Sequence, residues 1–237
     1  MDFSKTLIRC SSLGHIMTEP RNKADKEAGN LSETAKTHLI DVFVSEKYKR
    51  NTDLQNKYIQ KGLLVEEDSI TLYSRIKGKF FKKNESYLSN KFIKGTPDLY
   101  IGNTIQEASH IIDIKSSWDI FTFFRNKVKG INDLYYWQMQ GYMYLTGAMS
   151  ASLAFCLIDT PVILVEDEKR NLMWKMGVDT SENSEFKEAC NELERLMIYD
   201  DIPINERLIE FDIKRNEEDI EKIDLKVIKS REFLKDL

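Results

Sequence analysis

Two short apolar runs either side of a turn constrain this chain more than any other feature. In "GTPDLYIGNTIQEASHIIDIKSS", Gly95 to Ser117, the segments ending at Gly102 and beginning at Ser109 have the short, β-branched and aromatic character of strands, and GNT and QEASH supply turn residues between them. Asp113 and Lys115 flank Ile114, so in a strand their side chains leave the same face, while Ile111 or Ile112 and Ile114 serve a core. Asp98 follows Gly95-Thr96-Pro97, where proline stiffens the entry and glycine permits a close approach of backbone. If the two segments pair antiparallel, the turn brings Asp98 beside Asp113. Two carboxylates facing one spot repel each other unless a cation lies between them, and hard oxygen ligands select Mg²⁺ or Mn²⁺. With Lys115 as a second positive charge, such a site can activate water and hydrolyse a phosphodiester. A lysine on a strand edge in a wet cleft is expected to be removable at little cost in stability.

The remainder of the chain reads as helices and further strands. "LSETAKTHLIDVFVSEKYKR" shows helical spacing at Leu39, Ile40, Phe43 and Val44 behind a weak cap at Ser32. "KGLLVEEDSITLYSRIKG" reads as one amphipathic helix bearing Leu64, Val65, Ser69, Leu72 and Ile76 and ended by Gly78. "SYLSNKFIKG" is a β segment and "INDLYYWQMQGYMYLTG" a helix, whereas "ASLAFCLIDTPVILVEDE" looks like two strand runs parted by Thr160 and Pro161. Two amphipathic helices close the chain around a strand-like "ERLIEFDIK". With 237 residues, one domain is expected, in three parts: N-terminal helical 1–79, catalytic core 80–170 and C-terminal helical 171–237.

Composition removes several classes of function. No apolar run approaches the roughly 20 residues that cross a bilayer, and the N-terminus lacks a secretion pattern, so a cytoplasmic protein without membrane contact is expected. Cys10, Cys156 and Cys190 are too dispersed for a disulfide framework or a metal cluster, and His15, His38 and His110 show no ligand spacing. A net charge of −4 gives no bulk footprint for a polyanion, although local clusters of lysine can. No Gly-rich phosphate loop and no serine or cysteine nucleophile stands out.

The pair "GTPD" and "DIK" resembles the signature of the PD-(D/E)xK nuclease superfamily, as Pro97-Asp98 and Asp113-Ile114-Lys115. "KGLLVEEDSITL" resembles the helix that supplies an upstream glutamate in the form Gly-x-x-x-Glu, here Gly62 and Glu66. "YYWQMQGYMYLTG" resembles the helix carrying a Gln-x-x-x-Tyr motif, here Gln138 and Tyr142. The order and spacing of these elements are most similar to the phage lambda exonuclease and YqaJ-type viral recombinase branch, with the RecB-type nuclease domain more distant. "LIRCSSLGHIMTE" is similar to that branch's opening segment, which implies contact of Arg9 and Ser11 or Ser12 with a DNA terminal phosphate. The likeness runs with gaps from about Arg9 to about Gly147 and departs from the family at Asp113, where glutamate is commoner.

The resemblance implies an α/β, restriction-endonuclease-like core with a central mixed β-sheet flanked by helices. It implies a Mg²⁺-dependent exonuclease, Mn²⁺ a substitute, that degrades DNA duplex ends 5′ to 3′ for phage-type recombination. Glu66, Asp98 and Asp113 would hold the metal, Lys115 would act on the attacking water, and Gln138 would orient Lys115 or the scissile phosphate, with Tyr142 supporting that helix face. A homo-trimer and a single-strand annealing protein are the implied assembly and partner. The rivals are an endonuclease or RecB-type nuclease on the same core and a non-catalytic DNA-binding module.

Each element also has a plain structural reading. Asp98 suits a turn, Asp113 and Lys115 suit a solvated strand face, Glu66 and Glu67 suit a helix start, and Gln138, Gln140, Tyr142 and Tyr144 suit an amphipathic helix. Trp118, Phe121, Phe123, Phe124 and Arg125, with Lys127 and Lys129, could stack on bases and touch phosphates, or fill a core or an oligomer contact.

Overall fold

The computed structural model of the chain describes residues 2–51 and 56–237. Short β1 (Ile8–Arg9) leads through a single 3-10 turn into α1 (Leu13–Ile16), followed by α2 (Lys23–Glu27) and α3 (Glu33–Tyr48). The Ser32 hydroxyl accepts the Ala35 N–H at 3.0 Å and so caps α3, giving one free donor of the first turn a partner. Leu39 and Phe43 of its expected stripe are buried, but Ile40 faces solvent.

The segment expected as one helix up to Gly78 is two, α4 (Lys57–Leu64) and α5 (Glu66–Lys77). They meet at Val65, directly before Glu66, Glu67 and Asp68, three acids that favour the positive, donor-rich start of a helix over its middle. Leu64 is consequently exposed while Val65 is buried. Gly78 closes α5 at φ 61°, a left-handed conformation that glycine adopts without strain.

Next come β2 (Leu88–Ser89), β3 (Ile93–Gly95), β4 (Leu99–Ile101), β5 (His110–Ser116), α6 (Ile120–Lys129), α7 (Asp133–Thr146) and β6 (Ser150–Cys156). The chain ends with α8 (Val162–Met176), α9 (Ser184–Arg195), β7 (Leu208–Lys214) and α10 (Glu217–Lys235). One sheet has the order β1-β3-β2 and the other β4-β5-β6-β7. In the second, β5 and β6 run parallel through the α6–α7 crossover, while β4 and β7 pair antiparallel at the two edges. This is the expected central mixed sheet, and its fourth strand comes from the C-terminal third.

"VILVEDE" is not a strand. Pro161 precedes the first turn of α8, and its carbonyl accepts from Leu164 and Val165. β7 already occupies the edge of β6, so the apolar run has no strand partner and continues as a helix with Val162 and Ile163 exposed and Leu164 and Val165 buried.

Both faces of the sheet are covered. Ile112 and Ile114 pack with Leu99, Ala154 and Cys156 against Ile70, Leu72 and Tyr73 of α5. Ile111, Leu153 and Phe155 point the other way, into a core shared with Met139, Tyr142 and Met143 of α7 and with α3 and α10. Asp113 and Lys115 therefore share the face of Ile111, beneath α7. Gln140 ties α7 to the β7–α10 corner, donating to the Lys214 carbonyl at 2.8 Å and accepting from Asn216 N–H at 3.0 Å. Its place in the motif-bearing helix is structural.

Glycine is required where β3 meets α7. A Cβ at Gly95 would lie 2.8 Å from the Tyr142 ring, and one at Gly141 would lie 2.6 Å from Leu13 Cδ1 and 3.0 Å from Cys10 Sγ. Gly62 has no such role, since a Cβ there meets nothing within 4 Å. Among the described residues no helix is long and apolar enough to cross a membrane, and Cys10, Cys156 and Cys190 are free thiols.

Candidate active site

The register of β4 on β5 matches Leu99 with Ile112, which carries Asp98 to the position opposite Asp113. Asp98 Oδ2 accepts the Ile114 N–H at 2.7 Å, so the carboxyl is anchored on the backbone between Asp113 and Lys115. Asp113 is 1% exposed; its Oδ1 accepts from the Gln138 amide at 3.2 Å. Its Oδ2 lies 2.7 Å from Lys115 Nζ, outside hydrogen-bonding alignment, and is buried with no donor aimed at it. The sequence expectation that these groups share one spot holds in the fold.

The electrostatics follow from that crowding. Burial, and after it the negative charge of Asp113, pushes the Asp98 carboxyl up from 3.8 to about 7. Burial pulls the Lys115 ammonium down, but Asp113 and Asp98 together outweigh it and hold its pKa above the usual lysine value. Lys115 lies on an interior strand with its side chain only 26% exposed, not on a strand edge in a wet cleft. Removing it strands a buried carboxylate, so the low stability cost suggested by the sequence does not follow.

Two observations mark Asp98 and Asp113 as suited to a divalent cation: a buried Asp113 carboxylate oxygen without a donor, and an Asp98 carboxyl whose ionisation burial and the neighbouring Asp113 oppose. Their hard oxygens match Mg²⁺ or Mn²⁺. Glu66 does not converge with them. It starts α5 and is bound to Lys83, Oε2 to Nζ at 2.6 Å. Lys83 also lies 3.8 Å from Glu67. Among the described residues no group of three or more His, Cys, Asp or Glu is placed to hold a metal; Glu66 is paired with Lys83 and Asp113 lies against Lys115. Only two of the three expected ligands are thus brought together.

Gln138 donates through Nε2 to Tyr142 Oη at 2.9 Å as well as to Asp113, so it orients an acid and not Lys115. Tyr142 is buried on the same face of α7 as Gln138. Beyond it, β1 and β3 pair in parallel with Arg9 matched to Lys94. Arg9 and Ser11 line a cleft of about 280 Å³ with Lys94, Thr96, Tyr87 and Tyr142. Ser12 precedes α1 and does not line it.

Sequence reasoning missed Asn84, Lys83 and Lys94. Asn84 is buried, donates through Nδ2 to the Pro97 carbonyl at 2.8 Å and through its backbone N–H to the Asp98 carbonyl at 2.7 Å. It holds both peptide units around Asp98, yet it lies in a polar stretch without secondary structure, where nothing local signals burial. Asn84→Ala leaves the Pro97 carbonyl without its donor and is expected to lower stability by about 1–3 kcal/mol in urea unfolding. An unchanged midpoint would show that this bond contributes nothing.

Among solved structures, the chain is similar to a phage-related exonuclease from Haemophilus somnus 129PT, with 31% identity, a TM-score of 0.74, and coverage of 97% of this chain and 94% of that one. An alkaline exonuclease, LHK-Exo from Laribacter hongkongensis, shares the fold at a TM-score of 0.62 and 14% identity, over 98% of this chain and 89% of that one. The LHK-Exo complex with dAMP matches at 0.61, with 14% identity over 97% and 88%. No family model and no curated protein matches the chain.

Proposed function

Because the chain belongs to the phage-related exonucleases, in the lambda-exonuclease-like and YqaJ-like branch of PD-(D/E)xK nucleases, we propose that it is a metal-dependent DNA exonuclease acting on duplex ends. The observation that carries this reading is the meeting of Asp98 and Asp113 across the β4–β5 register with Lys115 beside them. These two acids would hold Mg²⁺, or Mn²⁺ in its place, and Glu66 would join them on release from Lys83. The chemistry a bound divalent ion supplies there is activation of water and neutralisation of charge on the scissile phosphate. Lys115 brings a further positive charge to the same spot, where charge develops on the phosphoryl oxygens. Gln138, which also donates to Tyr142, fixes the Asp113 carboxylate, and Asn84 fixes the backbone of Asp98. Arg9, Ser11 and Lys94 form a donor-rich cleft in which a terminal phosphate fits, which suits cleavage that begins at a 5′ end. Service in phage-type recombination, a ring of three chains and a single-strand annealing protein as partner belong to the same proposal.

The test is digestion of end-labelled linear duplex beside covalently closed circular duplex, each with Mg²⁺ and with EDTA. Release of labelled mononucleotide from the linear DNA in Mg²⁺ alone, with the circle intact, is expected. Cutting of the closed circle would reassign the site to an endonuclease, and inertness towards both in Mg²⁺ and in Mn²⁺ would leave a DNA-binding module.

A further inference from the structure

We propose that the cleft between α5 and the extended segment following it is a groove for one polynucleotide strand, leading to the acids of the candidate active site. This deepens the exonuclease reading and rests on it. From Ser69 to Asn84 the chain carries Arg75, Lys77, Lys79, Lys82 and Lys83 and no acid, in a protein of net charge −4. The cleft has a volume of about 600 Å³, inside the roughly 300–1,000 Å³ range of ligand sites.

Two of the five cations are engaged, Lys77 with Glu210 and Lys83 with Glu66. Arg75, Lys79 and Lys82 line the cleft, are exposed, and form no ion pair among the described residues. Between Lys79 and Lys82 stands Phe80, 84% exposed, with Phe81 buried behind it. A single bare aromatic is ordinary on a protein surface. A bare ring among three unpaired cations that line one cleft matches what a nucleic-acid strand needs, a π-face for a base and positive charge for the phosphates on either side. Glu67 and Glu85 also line the cleft, too few to reverse its sign.

The wall carrying these groups is fixed at both ends. Phe81 N–H donates to Ser74 Oγ of α5 at 3.2 Å, and Asn84 N–H donates to the Asp98 carbonyl at 2.7 Å. Lys83 also lines the groove, and its ammonium is bound to Glu66. A strand lying along Lys79 and Lys82 therefore arrives beside Lys83, where its phosphate competes with Glu66 for that ammonium. Charge complementarity selects a polyanion as occupant, and the bare ring selects one with exposed bases.

The experiment measures anisotropy of a fluorescent duplex with a single-stranded tail, over a salt series, in a non-cleaving Asp98→Asn background. Removing charge with Lys79→Ala and Lys82→Ala is expected to flatten the slope of log affinity against log salt by about 0.7 per cation lost. Phe80→Ala is expected to weaken binding about tenfold while leaving that slope unchanged. Lys79→Arg with Lys82→Arg should bind as the parent does, and all variants should melt as the parent does because these side chains are exposed. Parental affinity and slope in the alanine variants would overturn the groove. If those variants lose binding while the parent degrades no DNA, the groove stands and the exonuclease reading falls. If the parent degrades linear duplex and the variants bind as it does, the groove falls alone.

Discussion

Lys115→Ala is expected to lower the rate of linear-duplex digestion by about 10³-fold, the scale of losing one group aimed at charge that develops in a transition state. The same substitution should be visibly destabilising in the absence of divalent metal. Asp113 is 1% exposed and, among the described residues, its one ion pair is with Lys115, 2.7 Å from its Oδ2, so stripping away the ammonium leaves a buried charge at a cost of about 3 kcal/mol or more. Folding and chemistry can nevertheless be told apart. If Asp98 and Asp113 take up Mg²⁺, adding it to the variant restores the melting temperature, since the ion replaces the lost positive charge, but leaves turnover low. Digestion within tenfold of the parent rate would remove Lys115 from the mechanism whatever its effect on melting.

Asp98→Asn should abolish digestion and yet raise the metal-free melting temperature at pH 8. The side chains have nearly the same shape, and the amide oxygen can still accept the Ile114 N–H that Asp98 accepts at 2.7 Å. What disappears is a carboxyl that burial and the neighbouring Asp113 push up from 3.8 to about 7. A carboxyl whose folded pKa is raised binds its proton more tightly in the folded state, so its stabilising contribution is full below 3.8 and is lost as pH rises through about 7. In EDTA, therefore, parental stability should decline between about pH 4 and pH 7 more steeply than that of Asp98→Asn. The variant should also lose the rise in melting temperature that Mg²⁺ gives the parent, because one of two converging oxygen donors is gone. Identical pH profiles in EDTA, or an undiminished Mg²⁺ effect, would remove the carboxylate pair as the cation site.

Much of this was legible in the order of residues because the interactions concerned are local or periodic. Period two put Asp113 and Lys115 on one face of β5, and the turn between Gly102 and Ser109 made an antiparallel partner of the strand after Asp98. Ser32 and Gly78 act as helix boundaries through bonds to residues three or four positions away, which a linear reading can find. The demand for glycine at Gly95 was visible beside Pro97, although its cause, the ring of Tyr142, was not.

Other features depended on what stands next to a segment in space. "VILVEDE" has the β-branched composition of a strand, but β7, some forty residues later, takes the edge of β6 beside it and leaves it helical. Trp118 to Lys129 could have been core or surface, and the packing of α6 on β6 sorted it by burying Phe123 while leaving Phe121 and Phe124 in water. Glu66 reads as a metal ligand by its place in a motif, whereas in the fold Lys83, seventeen residues away, claims its carboxylate. Asn84 and Lys94 gave no local sign at all, since the first matters through a carbonyl thirteen residues on and the second through pairing with β1. The sequence by itself determined the two acids, the lysine and the strand that aligns them, because alternation along a strand is a property of neighbouring residues. Tertiary structure alone decided which charges neutralise them and which surface leads to them, because Coulomb and hydrogen-bond partners are chosen by distance in space and not along the chain.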